Sequence, residues 1–338
     1  MMQFFINQIS RLRFLLYKYK IFKTHTFKVP IISVGNIESG GTGKTPMVSS
    51  LIKILESKNK KVCVISRGYG RKSNQTIIID HNKKYTLNEV GDEPFALLKE
   101  NPNISMVIGD NKIKAIKMAI KKINIDVIIL DDGFQSLYIK RDLDIVMVAH
   151  NKQFFREPYS ALHRADAIIT KPISGLTRDI KSLLIKNNLG DLKIPLFYPR
   201  AIITLEDNQG GIDVEIMGPS IGVCGIAGPN SFREALLTDR DDDYKIYRSN
   251  LEKIIIKKIL TYKDHHNYSE NDMKHIYENM QEYGCKSIIT TTKDYDKLVK
   301  LNIKNIKIYK LKFEYDIPEN NSYTELHKLL DRAISSVS

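Results

Sequence analysis

The chain has 338 residues, 42% apolar and 27% charged, which describes an ordinary globular protein of two domains or one large one and excludes a low-complexity or fibrous chain. A net charge of +13 points to an anionic partner: nucleic acid, an anionic membrane surface or a phosphorylated substrate. Cys63, Cys224 and Cys285 lie far apart, without metal-ligand spacing, which suits a reducing compartment and no disulfide framework. Neither a signal-peptide pattern nor an apolar run long enough to cross a bilayer is expected.

Residues 2–22 read as an amphipathic helix, with Phe5, Ile9, Leu12, Leu16 and Tyr19 on one face. Arg11 and Lys18 lie opposite, and Arg13 and Lys20 flank the apolar face. Six basic residues and no acidic one precede Glu38. Two placements suit such a helix: apolar side down in a membrane interface with its cations on lipid phosphates, or apolar side packed on its own domain.

Ile31-Ile32-Ser33-Val34 is a β-branched run that predicts a buried strand. It leads into Gly35-Asn36-Ile37-Glu38-Ser39-Gly40-Gly41-Thr42-Gly43-Lys44-Thr45-Pro46. Glycines let the backbone bend tightly and aim several N–H groups at one anion. The helix that follows adds its positive end. Lys44 is placed to reach the β- and γ-phosphates of a nucleotide, and the Thr45 hydroxyl to bind Mg2+. Glu38 occupies the position of the first glycine of the strict phosphate-loop pattern, so the loop is a variant.

A helix is expected over 46–58 and a strand over 61–65. The strand ends in Ser66-Arg67-Gly68-Tyr69-Gly70-Arg71, where Arg67 suits bidentate phosphate recognition. Short strands are expected at 77–79 and 104–108. Between them Gly91-Asp92-Glu93-Pro94 marks a helix start and supplies an acid that could act as general base. The lysines of a helix over 112–122 read as a solvated face. Val127-Ile128-Ile129-Leu130 is an apolar strand that delivers Asp131 and Asp132 at its carboxyl end, where phosphate-loop proteins keep a Mg2+-organising acid. Successive strand residues face opposite ways, so the two acids have different jobs unless the turn begins there. Strands are expected at 143–148 and near 168–169.

Strand–helix alternation predicts a phosphate-loop, α/β fold: a mostly parallel sheet with helices on both faces and ligands at the carboxyl ends of its strands. The pattern restarts near residue 200, with a turn or hinge at 207–211. Further strands are expected at 221–224 and 287–291, and a helix capped by Ser269 and Asp272 that runs to Gly284. The expected domains are 1–22, the amphipathic helix; 23–205, the phosphate-loop domain; 206–315, a smaller α/β domain; and 316–338, a C-terminal helix. Asp264, His265 and His266 are too close in sequence to aim together at one metal, so one histidine in a network with an acid is the expected use.

Taken together, these motifs resemble the tetraacyldisaccharide 4′-kinase family. The resemblance is carried by Val34-Gly35-Asn36 with Gly40 to Pro46, Ser66 to Gly70, Gly91 to Pro94, Asp131 to Gln135 and Arg141-Asp142-Leu143-Asp144. Arg156-Glu157-Pro158, Arg164-Ala165-Asp166, Gly225-Ile226 with Pro229, Asp264-His265-His266 and Lys293-Asp294 complete it. The chain departs from the family pattern at Gly228 and Thr292. The resemblance implies transfer of the γ-phosphate of ATP, with Mg2+, to the 4′-hydroxyl of a lipid disaccharide 1-phosphate. It implies that Glu38, Ser39, Gly40, Gly41, Thr42, Gly43, Lys44 and Thr45 hold the nucleotide. Asp92 is implied as general base, paired with His265, with Lys44 and Asp132 also catalytic. Thr45, Asp131, Asp132 and Glu157 are implied for the metal, and Arg67, Arg156 and His266 for the substrates. A peripheral seat on the cytoplasmic face of the bacterial inner membrane, through the N-terminal helix, and a monomer are implied as well. Closure of the second domain is expected to exclude water.

Two other readings compete. A phosphate-loop ATPase or GTPase switch would act through a protein partner and need no sugar acceptor. A nucleic-acid-binding protein would need a continuous basic groove with stacking aromatics, whereas the acid-free basic stretch is confined to the amphipathic N-terminus. No nucleic-acid partner is therefore expected.

Overall fold

In the computed structural model, residues 2–38, 41–149, 155–170, 176–187, 189–207, 211, 216, 218–226, 228–237, 246–248, 254–301, 306–320 and 322–336 are described. The chain forms two compact units. One comprises Met1–Lys171, Gly175–Pro199 and Ile317–Ser338; the other comprises Pro172–Ser174 and Arg200–Asp316.

The first unit is built on an eight-stranded sheet. Its strands are β1 (Ile31–Asn36), β2 (Val62–Ser66), β3 (Ile77–Ile78), β4 (Ser105–Ile108), β5 (Val127–Asp131), β6 (Leu143–Val148), β7 (Ala167–Thr170) and β8 (Leu196–Phe197). Their order is β3-β4-β2-β5-β1-β6-β7-β8, and every pairing is parallel except β3 with β4. β1, β2, β5, β6 and β7 are buried along their whole length, which explains their continuous rather than alternating apolar runs. The unit's helices are α1 (Met2–Lys18), α2 (Lys44–Ser57), α3 (Leu87–Val90), α4 (Asp92–Glu100), α5 (Lys112–Lys122), α6 (Leu176–Lys186) and the C-terminal Thr324–Ser335. In α2, Met47, Val48, Leu51, Ile52 and Leu55 are all buried, the spacing of a helix that lays one stripe on a sheet.

The second unit has a six-stranded sheet, with one antiparallel pair. In chain order its strands are β9 (Arg200–Glu206), β10 (Ser220–Cys224), β11 (Ile246–Arg248), β12 (Ile256–Thr261), β13 (Ser287–Thr291) and β14 (Lys307–Asp316). The sheet order is β11-β9-β14-β13-β10-β12, with β14 antiparallel to β9. Helices α7 (Pro229–Leu237), α8 (Glu270–Glu282) and α9 (Thr292–Val299) accompany it, and Thr324–Ser335 is α10. The start of α8 is a capping box between Ser269 and Asp272, as the sequence predicts. Most of the expected turn at 207–211 lies outside the described residues.

The N-terminal helix ends at Lys18 rather than residue 22. Much of its expected apolar face is exposed: Phe5, Ile9 and Leu12 are 57%, 65% and 58% exposed, while Leu16 is half-buried. Among the described residues no helix is long and apolar enough to cross a membrane.

Candidate phosphoryl-transfer site

The site grows from the carboxyl ends of β1, β2 and β5. β1 and β5 lie side by side, Val34 opposite Asp131. The turn after β5 folds back so closely that a Cβ on Gly35 would lie 2.4 Å from Phe134 Cβ and 2.8 Å from its backbone nitrogen. Only glycine fits there, which is why Val-Gly-Asn and Asp-Asp-Gly-Phe-Gln belong to one constellation.

The loop after β1 is tied from within. The Asn36 side-chain amide donates to the Glu38 carbonyl at 2.5 Å and to Thr42 Oγ1 at 2.9 Å, and Gln135 Nε2 donates to the Asn36 carbonyl at 2.7 Å. Gly43 takes a left-handed conformation (φ 85°) immediately before Lys44 opens α2, so the loop turns directly into a helix N-terminus. Thr42 and Lys44 are buried, Gly43 and Thr45 are half-buried and Gly41 is exposed. Ser39 and Gly40 lie outside the described residues. Glu38 is fully buried, and its charge adds to burial in pushing up the Tyr159 phenol. The Glu38 carboxylate thus lies inside the fold, at the start of the loop that is expected to hold the nucleotide.

Asp131 and Asp132 part company because the chain turns between them: Asp132 has φ 51°. Asp131 is buried and accepts a hydrogen bond from Ser66 Oγ at 3.0 Å. Burial, then the charges of Glu93 and Asp132, push its carboxyl up to about 6, against the pull of Lys44 and Lys112. The Asp132 carboxylate meets Arg156 Nη1, 2.8 Å from both oxygens, and Lys44 Nζ at 3.5 Å. Burial opposes its ionisation, but Lys44, Arg156 and Lys112 outweigh that and hold it below the usual carboxylate range.

Lys112 was read as part of a solvated lysine face, and the structure overturns this. Its side chain lies in the site, 6% exposed, donating to the Asp131 carbonyl at 2.9 Å and the Asp132 carbonyl at 2.6 Å. Burial pulls its ammonium down to about 8, reinforced by Arg67 and Lys44 and resisted by Asp132 and Asp131. The cation holds the turn that carries both acids.

Two further motifs close on each other. Gly91 (φ 90°) ends α3 and precedes α4, and a Cβ there would lie 2.6 Å from the Tyr69 carbonyl oxygen. The Ser66–Gly70 turn therefore packs backbone against backbone on the start of α4, where Asp92 and Glu93 are half-buried; Arg67 is exposed. Arg156 and Glu157 donate backbone N–H groups to the Ile37 carbonyl at 2.7 and 3.3 Å, which fastens their segment to the loop. The Glu157 carboxylate is buried, ion-paired with Arg164 and hydrogen-bonded by Ser10 Oγ.

In the second unit, three motifs meet around Gly225. Asp294 accepts from the Gly225 N–H at 2.8 Å and from Thr291 Oγ1 at 2.7 Å. His266 stacks on Tyr262 at 4.8 Å, lies edge-to-face with Tyr268 at 5.0 Å, and its Nε2 is 3.1 Å from Asp272 in the α8 cap. Its ring is thereby oriented by contacts within the unit. His265 has φ 58°, is half-exposed, and its Nε2 lies 3.6 Å from Asp264 Oδ2. Asp92 belongs to the first unit and His265 to the second.

Mg2+ prefers one or two carboxylates together with hydroxyl, water and phosphate oxygens to an all-protein cage. Among the described residues no group of three or more His, Cys, Asp or Glu side chains forms such a cage. A buried, charge-stressed carboxylate beside a second acid, with a helix-opening Lys-Thr nearby, is a donor set that fits a nucleotide-borne Mg2+.

A mostly parallel sheet whose first strand runs through a glycine turn into a Lys-Thr helix start, with paired acids on the adjoining strand, defines a phosphate-loop nucleotide-binding protein. The comparisons narrow this class. The family model for LpxK, tetraacyldisaccharide-1-P 4′-kinase, matches residues 1–334, and the chain belongs to that family. The tetraacyldisaccharide 4′-kinase of Halothermothrix orenii is 32% identical over 92% of this chain and 86% of its own length. That of Bdellovibrio bacteriovorus is 27% identical over 98% of each. The crystal structure of LpxK from Aquifex aeolicus in complex with ATP superposes with a TM-score of 0.68 at 27% identity, covering 98% of this chain and 97% of that one. The chain is thus an ATP-dependent kinase of lipid A biosynthesis, using Mg2+ and transferring the γ-phosphate to the 4′-hydroxyl of a tetraacylated glucosamine disaccharide 1-phosphate.

Proposed function

We propose that the cations around Asp132 are the triphosphate grip of this kinase. The observation that carries this is the meeting of Lys44 and Arg156 on one carboxylate at the mouth of the β1 loop. Backbone N–H groups of Gly41 to Thr45 and the α2 N-terminus bind phosphate oxygens, and Lys44 and Arg156 neutralise the charge that gathers on the transferring group. Arg67, whose charge acts on Lys112, adds a further guanidinium. Thr45, Asp131, Asp132 and Glu157 are the side chains that would hold Mg2+. When bound, the ion neutralises phosphate charge and orients the β- and γ-oxygens. Phosphoryl transfer asks for positioning and charge neutralisation more than covalent chemistry, and this site is rich in both.

Asp92 accepts the proton of the 4′-hydroxyl as the new bond forms. It stands at the start of α4, which Gly91 locks against the turn at the carboxyl end of β2, the end of the sheet that carries the acids. Of the two histidines, His265 is the one with a role in turnover. Helix α1 seats the protein on the anionic cytoplasmic face of the inner membrane: its exposed apolar face is flanked by cations, with no acidic residue before Glu38. The acyl chains stay in lipid, only the sugar head reaches the site, and a monomer suffices.

The test is transfer of label from γ-labelled ATP to the disaccharide 1-phosphate in detergent. Lys44→Ala is expected to lose roughly 10²–10³-fold in turnover. Asp92→Ala is expected to lose a similar factor, about 10²–10⁴, while ATP binding is kept. Near-normal rates for Asp92→Ala would remove it from the base role.

A further inference from the structure

α1 touches the rest of its unit through a face that its apolar pattern does not announce. Ser10, Arg13 and Phe14 share this face, at the i, i+3, i+4 spacing of one helix side. Each lands on a residue of the site's own motifs. Ser10 Oγ donates to Glu157 Oε2 at 3.1 Å. Arg13 Nη2 donates to the Gln135 carbonyl at 2.5 Å. The Phe14 ring lies 5.3 Å from the guanidinium carbon of Arg164, which lies 4.4 Å from the Phe134 ring on its other contact.

These contacts continue inward by short steps. Gln135 Nε2 holds the Asn36 carbonyl, and the Asn36 amide holds Thr42 and Glu38 of the phosphate loop. Glu157 follows Arg156, whose backbone is tied to Ile37 and whose guanidinium grips Asp132. Phe134 is the residue packed against Gly35. Three side chains of α1 thus bear on three residues of the same support, while Ile9 and Leu12 on another face remain exposed.

We propose that Ser10, Arg13 and Phe14 are positioning residues for phosphoryl transfer: α1 braces the phosphate loop and the Arg156–Asp132 pair in addition to seating the enzyme on lipid. The proposal deepens the membrane reading of α1 and rests on it only for the second of these roles. A helix that merely anchors would alter how the enzyme finds its lipid. A brace alters how fast bound substrates react, because an error near 1 Å in a reacting geometry costs orders of magnitude.

The test uses the full chain with Ser10→Ala and Arg13→Ala, and with Ser10→Thr and Arg13→Lys, which keep a hydroxyl and a cationic donor. kcat and the KM for ATP and for the acceptor are measured in detergent micelles, and membrane seating separately by flotation with anionic phosphatidylglycerol-containing vesicles. The alanine variants are expected to lose about ten-fold in kcat while the acceptor KM and flotation stay at wild-type values, and the Thr and Lys variants to recover most of the loss. Alanine variants with wild-type kcat, or whose loss is confined to the acceptor KM and flotation, would overturn the brace. A loss the conservative variants do not recover would do the same. Wild-type protein that fails to float would refute the membrane seat and leave the kcat comparison to decide the brace.

Discussion

At the carboxyl ends of its strands the first unit gathers Lys44, Lys112 and Arg156 around Asp131 and Asp132, whereas the second unit's polar motif residues close on one another. Asp294 accepts from the Gly225 backbone and Thr291, and His266 is spent on Tyr262, Tyr268 and Asp272. In the first unit burial leaves charges under stress: one acid is raised to about 6, its neighbour lowered, and a lysine drawn down to about 8. In the second, hydrogen bonds of ordinary geometry close a turn and a helix cap, and the stress falls on neutral phenols: burial, with the charges of Asp272 and Asp294, pushes Tyr262 and Tyr268 up. Perturbed, closely opposed charges mark the place where a charged substrate is handled. Mutually satisfied polar groups mark architecture.

The contrast predicts that substitutions in the two units fail in different ways. The largest effect is expected for Asp132→Asn, a fall of roughly 10²–10³-fold in turnover with little change in melting temperature; a melting temperature that falls in step with activity would erase the distinction. His266→Ala should do the opposite, costing about 1–3 kcal/mol of second-unit stability through the orphaned cap and stack and leaving the kcat of the folded fraction within a few-fold of wild type. His265→Ala, compared in the same assays, should lower kcat with little loss of stability.

Asp131 gives a pH signature. Its folded-state pKa, about 6, lies above the ordinary 3.8, so its contribution to stability is fully present below pH 3.8 and is lost as pH rises through 6. Asp131→Asn is therefore expected to raise stability at pH 7.5, by up to about 3 kcal/mol, while abolishing most turnover. Equal melting temperatures for the two proteins at pH 7.5 would show that Asp131 carries no such stress. Lys112→Met, which strips two backbone carbonyls of their donor, should cost about 1–3 kcal/mol. Ser269→Ala, which removes the helix cap of α8, should cost about 1 kcal/mol.

Much of the first unit was legible because its central strands are buried on both faces. Val127 to Leu130 is an unbroken apolar run that ends in acid, and Ile31 to Val34 and Leu143 to Val148 are apolar but for Ser33 and Asp144, a pattern with few alternative readings. Lys112 was hidden by its neighbours. It opens a helix that also carries Lys114, Lys117, Lys121 and Lys122, and a charge run gives no hint that its first member is buried under two carbonyls. The signal available was its position next to the cap residue Asn111. α1 misled differently. Periodicity finds the most apolar face, but that face is exposed, and the docked face uses a hydroxyl, a guanidinium and one ring. The long β14 and its antiparallel partner β9 also escaped the reading, since Lys307, Lys310 and Lys312 break the apolar pattern, and Lys310 and Lys312 pair across the sheet with Glu206.

The most direct test of the triphosphate grip is a crystal structure of the full chain with Mg2+ and a non-hydrolysable ATP analogue. The β- and γ-phosphates are expected against the Gly43–Thr45 backbone, with Lys44 and Arg156 within hydrogen-bonding distance of their oxygens and the Asp131–Asp132 turn still held by Lys112. Phosphates bound elsewhere, with Lys44 and Arg156 still engaged only with Asp132, would contradict it.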